Sequence, residues 1–141
     1  MPKAVAMRKE RRAVFKLFVE LSRELRESVY NGRDDKDWDD ITTVVVACAV
    51  GVGHIEGKPM GATKIGHYTD IPRTTVMRKL KRLTEIGTIA EVPGHGRDRP
   101  YKLALMKWQD AKPERINGYR RVLAEAYGDL EDLLAPKETP K

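Results

Sequence analysis

Cysteine is almost absent from this chain. Cys48 stands alone among 141 residues, so no intramolecular disulfide can form, which suits a reducing compartment. Long apolar runs are missing too: the longest apolar-leaning stretch, residues 42–53, falls short of the ~20 residues that a membrane-spanning helix needs. The opening MPKAVAMRKERRAVFK is basic but lacks the apolar core of a signal peptide. These absences predict a cytoplasmic protein with no membrane partner. His54, His67 and His95 lie far apart, and no cysteine or carboxylate cluster completes a metal set, so no metal site is expected. No nucleophile–base pair, phosphate-binding loop or paired carboxylates can be read, which predicts neither an enzyme nor a cofactor.

What the chain does have is charge, placed unevenly. The net charge is +6 and the pI is near 9.5. Residues 1–26 carry a net +5, residues 27–61 a net −4, residues 62–102 a net +5, and residues 103–141 are neutral. Positive charge gathered in two segments favours an anionic partner more than an even spread would.

Taken in order, residues 1–10 read as a frayed or extra basic turn, and a helix follows over residues 11–30. Its stripe is Val14, Phe18, Leu21 and Leu25, widened by Phe15, Leu17 and Val19, and Asn31-Gly32 stops it. Residues 38–56 contain the β-branched run TTVVVACAV, which scores as strand on propensity. The stretch is too long for one strand and has Asp37 as an N-cap, so a helix buried on several sides is predicted, with Cys48 a small buried hydrophobe. A short helix is expected over residues 62–69 and a sharp turn at Asp70. A second helix over 72–86 is expected to open with Pro72 in its first turn, bury Val76, Leu80 and Leu83, and stop at Gly87. Residues 88–92 and 101–105 alternate and predict a β-hairpin around the loop PGHGRDRP. A final helix from Pro113 to about Leu134 carries Ile116, Tyr119, Leu123, Ala126, Leu130 and Leu133 in heptad spacing, and the tail APKETPK reads as disordered.

The stretch GATKIGHYTDIPRTTVMRKLKRLTEIGTIAEVPGHGRDRPYKL resembles the reader domain of bacterial winged-helix repressors, and IPRTTVMRKLKRL carries most of that likeness. The flanking helices and chain length resemble the MarR family. Asp70 stands where such regulators usually have glycine, and the wing keeps only Asp98-Arg99 of the family's longer pattern. The fold class expected is mainly α with a small β-hairpin: a winged helix-turn-helix domain at 38–106, an N-terminal dimerisation helix and acidic loop at 1–37, and a C-terminal dimerisation helix and tail at 107–141.

Helical geometry points Thr74, Arg78 and Lys81 nearly opposite Val76, with Arg73 on the first turn. Arg73, Thr74, Thr75 and Arg78 then suit base edges in the DNA major groove. Lys81 and Arg82, further along, suit phosphate, as do Thr63 and Lys64 at the start of the preceding helix. Arg97 and Arg99 at the hairpin tip suit a narrow minor groove. A basic helix face alone is also what a solvated surface looks like; the turn and the basic hairpin in register with it distinguish the two.

The terminal stripes, Val14, Phe18, Leu21 and Leu25 with Ile116, Tyr119, Leu123, Leu130 and Leu133, predict a homodimer interface, the competing expectation being that the two helices cover each other. The function expected is therefore a homodimeric, sequence-specific double-stranded DNA-binding transcriptional regulator, in repressor form, on an inverted repeat. Alternatives are a winged-helix protein–protein adaptor, or a plasmid or phage replication or partition protein. The resemblance also allows a small-molecule effector near Trp38, Trp108 and Tyr119, although these residues read first as packing residues.

Overall fold

The computed structural model describes residues 2–30, 40–93, 96, 98–104 and 113–134. Among them the chain is mostly helical with one small antiparallel hairpin: α1 (Pro2–Tyr30), α2 (Asp40–Ile55), α3 (Ala62–Thr69), α4 (Arg73–Glu85), β1 (Ile89–Glu91), β2 (Tyr101–Leu103) and α5 (Pro113–Leu134). Asp37, Trp38, Arg97, Trp108 and the tail lie outside the described residues.

Two compact units divide the chain. One holds α1 up to Glu24 together with α5; the other runs from Leu25 through the hairpin. The boundary between the units falls inside α1, between Glu24 and Leu25. The last turns of α1 bury Val29 and Tyr30 with α2 and α4, and Leu25 packs on the same cluster rather than joining the N-terminal stripe. Helix α1 also begins at Pro2 rather than near Arg11, because nothing in residues 2–10 breaks a helix once Pro2 has taken a position where proline is tolerated.

The second unit is built on α2. Thr43, Val44, Val46, Ala47, Ala49 and Val50 are all buried, on several sides of one helix. Val and Thr cost roughly half a kcal/mol each in helix propensity, whereas burying a Val side chain gives about 1.5 kcal/mol or more, so tertiary packing decides for helix. Helices α3 and α4 and strand β2 all pack on α2. Met60, Ile65, Val76, Leu80, Leu83, Ile86, Ile89 and Leu103 complete the core.

Two turns fix the site-bearing elements. Asp70 closes α3 in the left-handed region at φ 60°, ψ 31°. Pro72, with ψ 139°, caps α4 from outside rather than forming its first turn, and α4 begins at Arg73. At the other end Gly87 takes φ 80° and its N–H bonds the Thr84 carbonyl, while the Thr88 N–H bonds that of Leu83. This paired arrangement after a left-handed glycine turns the chain straight into β1.

The hairpin pairs Ile89 with Leu103, Ala90 with Lys102 and Glu91 with Tyr101. On its other side β2 meets Met60, whose carbonyl accepts the Tyr101 N–H at 3.1 Å. His54 at the end of α2 accepts the Leu103 N–H on Nδ1 at 2.8 Å. The hairpin is thereby tied both to the lead-in of α3 and to α2.

In the first unit α1 and α5 run antiparallel. Ala13, Val122 and Ala126 are buried, Lys16 pairs with Glu125 at 3.4 Å, and the Tyr119 hydroxyl donates to the Glu24 carbonyl at 3.4 Å. On α5 Val122 takes the buried position at 1% exposure, and Leu123 stands 52% exposed. One residue is a 100° rotation, which carries Leu123 off the face that meets α1. Leu21, Tyr119 and Leu130 are half-buried, Val14, Phe15, Phe18 and Val19 are exposed on α1, and the side chains of Ile116 and Leu133 lie outside the described residues. No helix among the described residues is long and apolar enough to cross a membrane.

Candidate functional site

The richest arrangement of cationic and polar side chains in the second unit surrounds the exposed face of α4. Val76, Leu80 and Leu83 anchor the helix, so the opposite face is solvent-exposed and carries Thr74, Met77, Arg78 and Lys81, with Arg73 exposed on the first turn. Glu85 shares that face at its far end, so the charges on the face are all positive only over its first three turns. Thr75, Lys79 and Arg82 are half-buried at the margins. Arg82 is thus less open than its spacing from Lys81 suggests.

The start of α3 lies against this helix. Its N-cap, Gly61, has no side chain to satisfy the free N–H groups there. Asp98, from the loop before β2, supplies the missing acceptor: its Oδ1 takes the Thr63 N–H at 3.2 Å across 35 residues. A Cβ on residue 61 would lie 2.7 Å from the Asp98 carboxylate, so this approach needs glycine. The Thr63 hydroxyl in turn accepts Arg73 Nε at 3.0 Å. Of the residues expected to meet phosphate at this end, Thr63 therefore already has its N–H and a hydroxyl lone pair engaged, while Lys64 is exposed.

Arg99 at the base of the hairpin loop pairs with Glu91 at 3.2 Å, and the Tyr101 hydroxyl donates to the same carboxylate at 3.3 Å. Burial foremost, then the charge and hydrogen bond of Glu91, push the Tyr101 hydroxyl above its ordinary range, with Arg99 opposing. An exposed ion pair of this kind is worth ~0–1 kcal/mol, so Glu91 holds Arg99 only weakly.

The structure thus brings Arg73, Thr74, Arg78, Lys81, Thr63 and Lys64 onto two adjoining helices, and places Arg99 on the hairpin that Asp98 ties to α3. Sequence reading missed Asp98, Glu91, Gly61 and His54. The one local hint was Gly61, a helix start with no capping side chain of its own. Among the described residues no group of three His, Cys, Asp or Glu side chains is placed to hold a metal ion. No protein-family model and no curated protein matches this sequence.

Proposed function

We propose that this chain is a sequence-specific double-stranded DNA-binding transcriptional regulator that acts as a homodimer through a winged helix-turn-helix. In this reading α3, the turn at Asp70 and α4 form the helix-turn-helix, and β1–β2 form the wing. The observation that carries it is the exposed face of α4, where Thr74, Arg78 and Lys81 stand opposite the buried Val76, Leu80 and Leu83, with Arg73 exposed on the first turn of a helix braced by a short partner. A helix so presented fits the major groove. Arg73, Thr74, Thr75 and Arg78 read bases, Lys81, Arg82 and Lys64 meet phosphate, and Arg99 on the hairpin follows the minor groove. The homodimer is supported by Val14, Phe15, Phe18 and Val19 on α1 and Leu123 and Tyr127 on α5, large hydrophobic side chains that pairing within the first unit leaves exposed.

A mobility-shift titration on a randomised duplex library at two salt concentrations tests the proposal. The expected result is weak binding to all duplexes, steeply reduced by salt, with tight binding to a selected inverted repeat. Arg78→Ala erases preference at one base position and Lys81→Ala weakens all sequences alike. Absence of binding at about 50 mM salt removes the DNA reading and leaves a protein-binding role for the same fold.

A further inference from the structure

A chain of two hydrogen bonds leads from the hairpin to the first turn of α4. Asp98 Oδ1 accepts the Thr63 N–H at 3.2 Å, and Thr63 Oγ1 accepts Arg73 Nε at 3.0 Å. The first bond fixes the start of α3 against the hairpin; the second fixes the guanidinium of Arg73 against α3. An unrestrained arginine spreads over many rotamers, and a ligand that must order it bears the lost side-chain entropy. With Nε held by Thr63, the guanidinium plane is set before any ligand arrives, and its two terminal nitrogens remain as a fork. Such a fork, held in one plane, is what bidentate contact with a guanine edge requires.

We infer that Thr63 and Asp98 are positioning residues that pre-set Arg73 for base recognition, and that Thr63 is not the phosphate contact its place at the start of α3 suggests. This inference rests on the DNA-reading proposal above. It adds that the hairpin acts on sequence preference through α3, without itself touching the base that Arg73 reads. The close approach at Gly61 belongs to the same device, since only a residue without a Cβ lets the Asp98 carboxylate reach the α3 terminus.

The test compares Thr63→Val, Thr63→Ser, Asp98→Ala and Arg73→Ala with the parent protein, all as full chains, in two measurements. In the absence of DNA, the Arg73 Nε–H resonance in a proton–nitrogen spectrum is expected to be distinct and protected in the parent and in Thr63→Ser. It is expected to collapse to the solvent-exposed position in Thr63→Val and to broaden in Asp98→Ala. In site selection from a randomised duplex library, Arg73→Ala relaxes one base position, and Thr63→Val relaxes the same position by about tenfold or more. Thr63→Ser keeps the parent preference, and affinity for a non-selected duplex stays within about twofold for both Thr63 variants.

Retention of the parent preference by Thr63→Val overturns the inference, as does an Arg73→Ala variant that relaxes no position. A loss that is uniform over all sequences makes Thr63 a phosphate contact and also overturns it. A parent protein that binds no duplex overturns the DNA reading itself. The resonance measurement then still reports whether Thr63 holds Arg73, so the two failures are told apart.

Discussion

The hydroxyl of Thr88 donates to the carbonyl oxygen of Val29 at 2.6 Å, joining the residue just before β1 to the last turn of α1 across 59 positions. The Val29 carbonyl is one of the four that end a helix without an intrahelical partner, and Thr88 is 1% exposed. Thr88→Val keeps the shape and removes the donor, leaving a buried acceptor unpaired. It is expected to cost about 1–3 kcal/mol in urea unfolding. Thr84→Val, whose hydroxyl only bonds back to Leu80 in its own helix, is expected to stay within about 0.5 kcal/mol.

His54 ties α2 to β2 through its Nδ1 and the Leu103 N–H. His54→Ala strands that amide beside the core, and a loss of about 1–3 kcal/mol is expected. Hydrogen exchange should locate the effect: protection is lost first at Leu103 and along the hairpin, before the α2 amides change.

Gly61→Ala drives a Cβ into the Asp98 carboxylate, so the remote cap on α3 is lost at a cost of about 1 kcal/mol, as for an ordinary N-cap. Asp98→Ala is expected to cost a similar amount. Because both remove the same contact, the double variant should be little worse than either single one, a non-additivity that equilibrium unfolding can read directly.

Among the described residues, Cys48 and Tyr101 hold their protons more tightly in the folded chain. Burial raises the Cys48 thiol, and burial with Glu91 raises the Tyr101 hydroxyl. For an acid whose folded pKa is raised, the stability contribution is complete below the unfolded pKa and is lost as pH climbs through the folded one. Unfolding free energy is therefore expected to be unaffected by these groups near neutrality and to fall at alkaline pH, beginning near the ordinary thiol range of about 8.5 and steepening past about 10 for the phenol. Tyrosinate absorbance should rise later in pH for Tyr101 than for an exposed tyrosine. Cys48 should react with a thiol reagent at pH 8 far more slowly in the folded chain than in urea.

On α5, adjacent residues should separate stability from assembly. Val122→Ala removes two buried carbons and is expected to cost about 1.5 kcal/mol in unfolding, with no direct effect on association. Leu123→Ala is expected to leave unfolding of a dilute monomer almost unchanged and to weaken self-association in analytical ultracentrifugation. If it changes no association constant at any concentration, the proposed dimer surface lies elsewhere.

Much of the second unit was readable from local signals. Helix α3, the turn at Asp70 and the stop at Gly87 follow from glycine, aspartate and proline placement, and the buried face of α4 from the spacing of Val76, Leu80 and Leu83. Helix α2 was readable only by weighing length against a β-branched composition, because strand propensity and burial on several sides select the same residues. The exposed row on α4 followed once its buried side was known. The engagement of Thr63, the hold of Glu91 on Arg99 and the half-burial of Arg82 did not follow.

Sequence by itself determined what depends on neighbours within a turn or two: where α3 and α4 stop, which α4 residues are anchors, and where positive charge collects. Tertiary structure decided which of Val122 and Leu123 α5 buries, where α1 passes from one compact unit to the other, and that Asp98 caps α3 while Thr63 holds Arg73. The physical reason lies in range. Periodicity and capping are set by backbone geometry over a few residues, so they leave a pattern in the chain. A carboxylate reaching across 35 positions to a bare helix end leaves none, apart from the glycine that makes room for it.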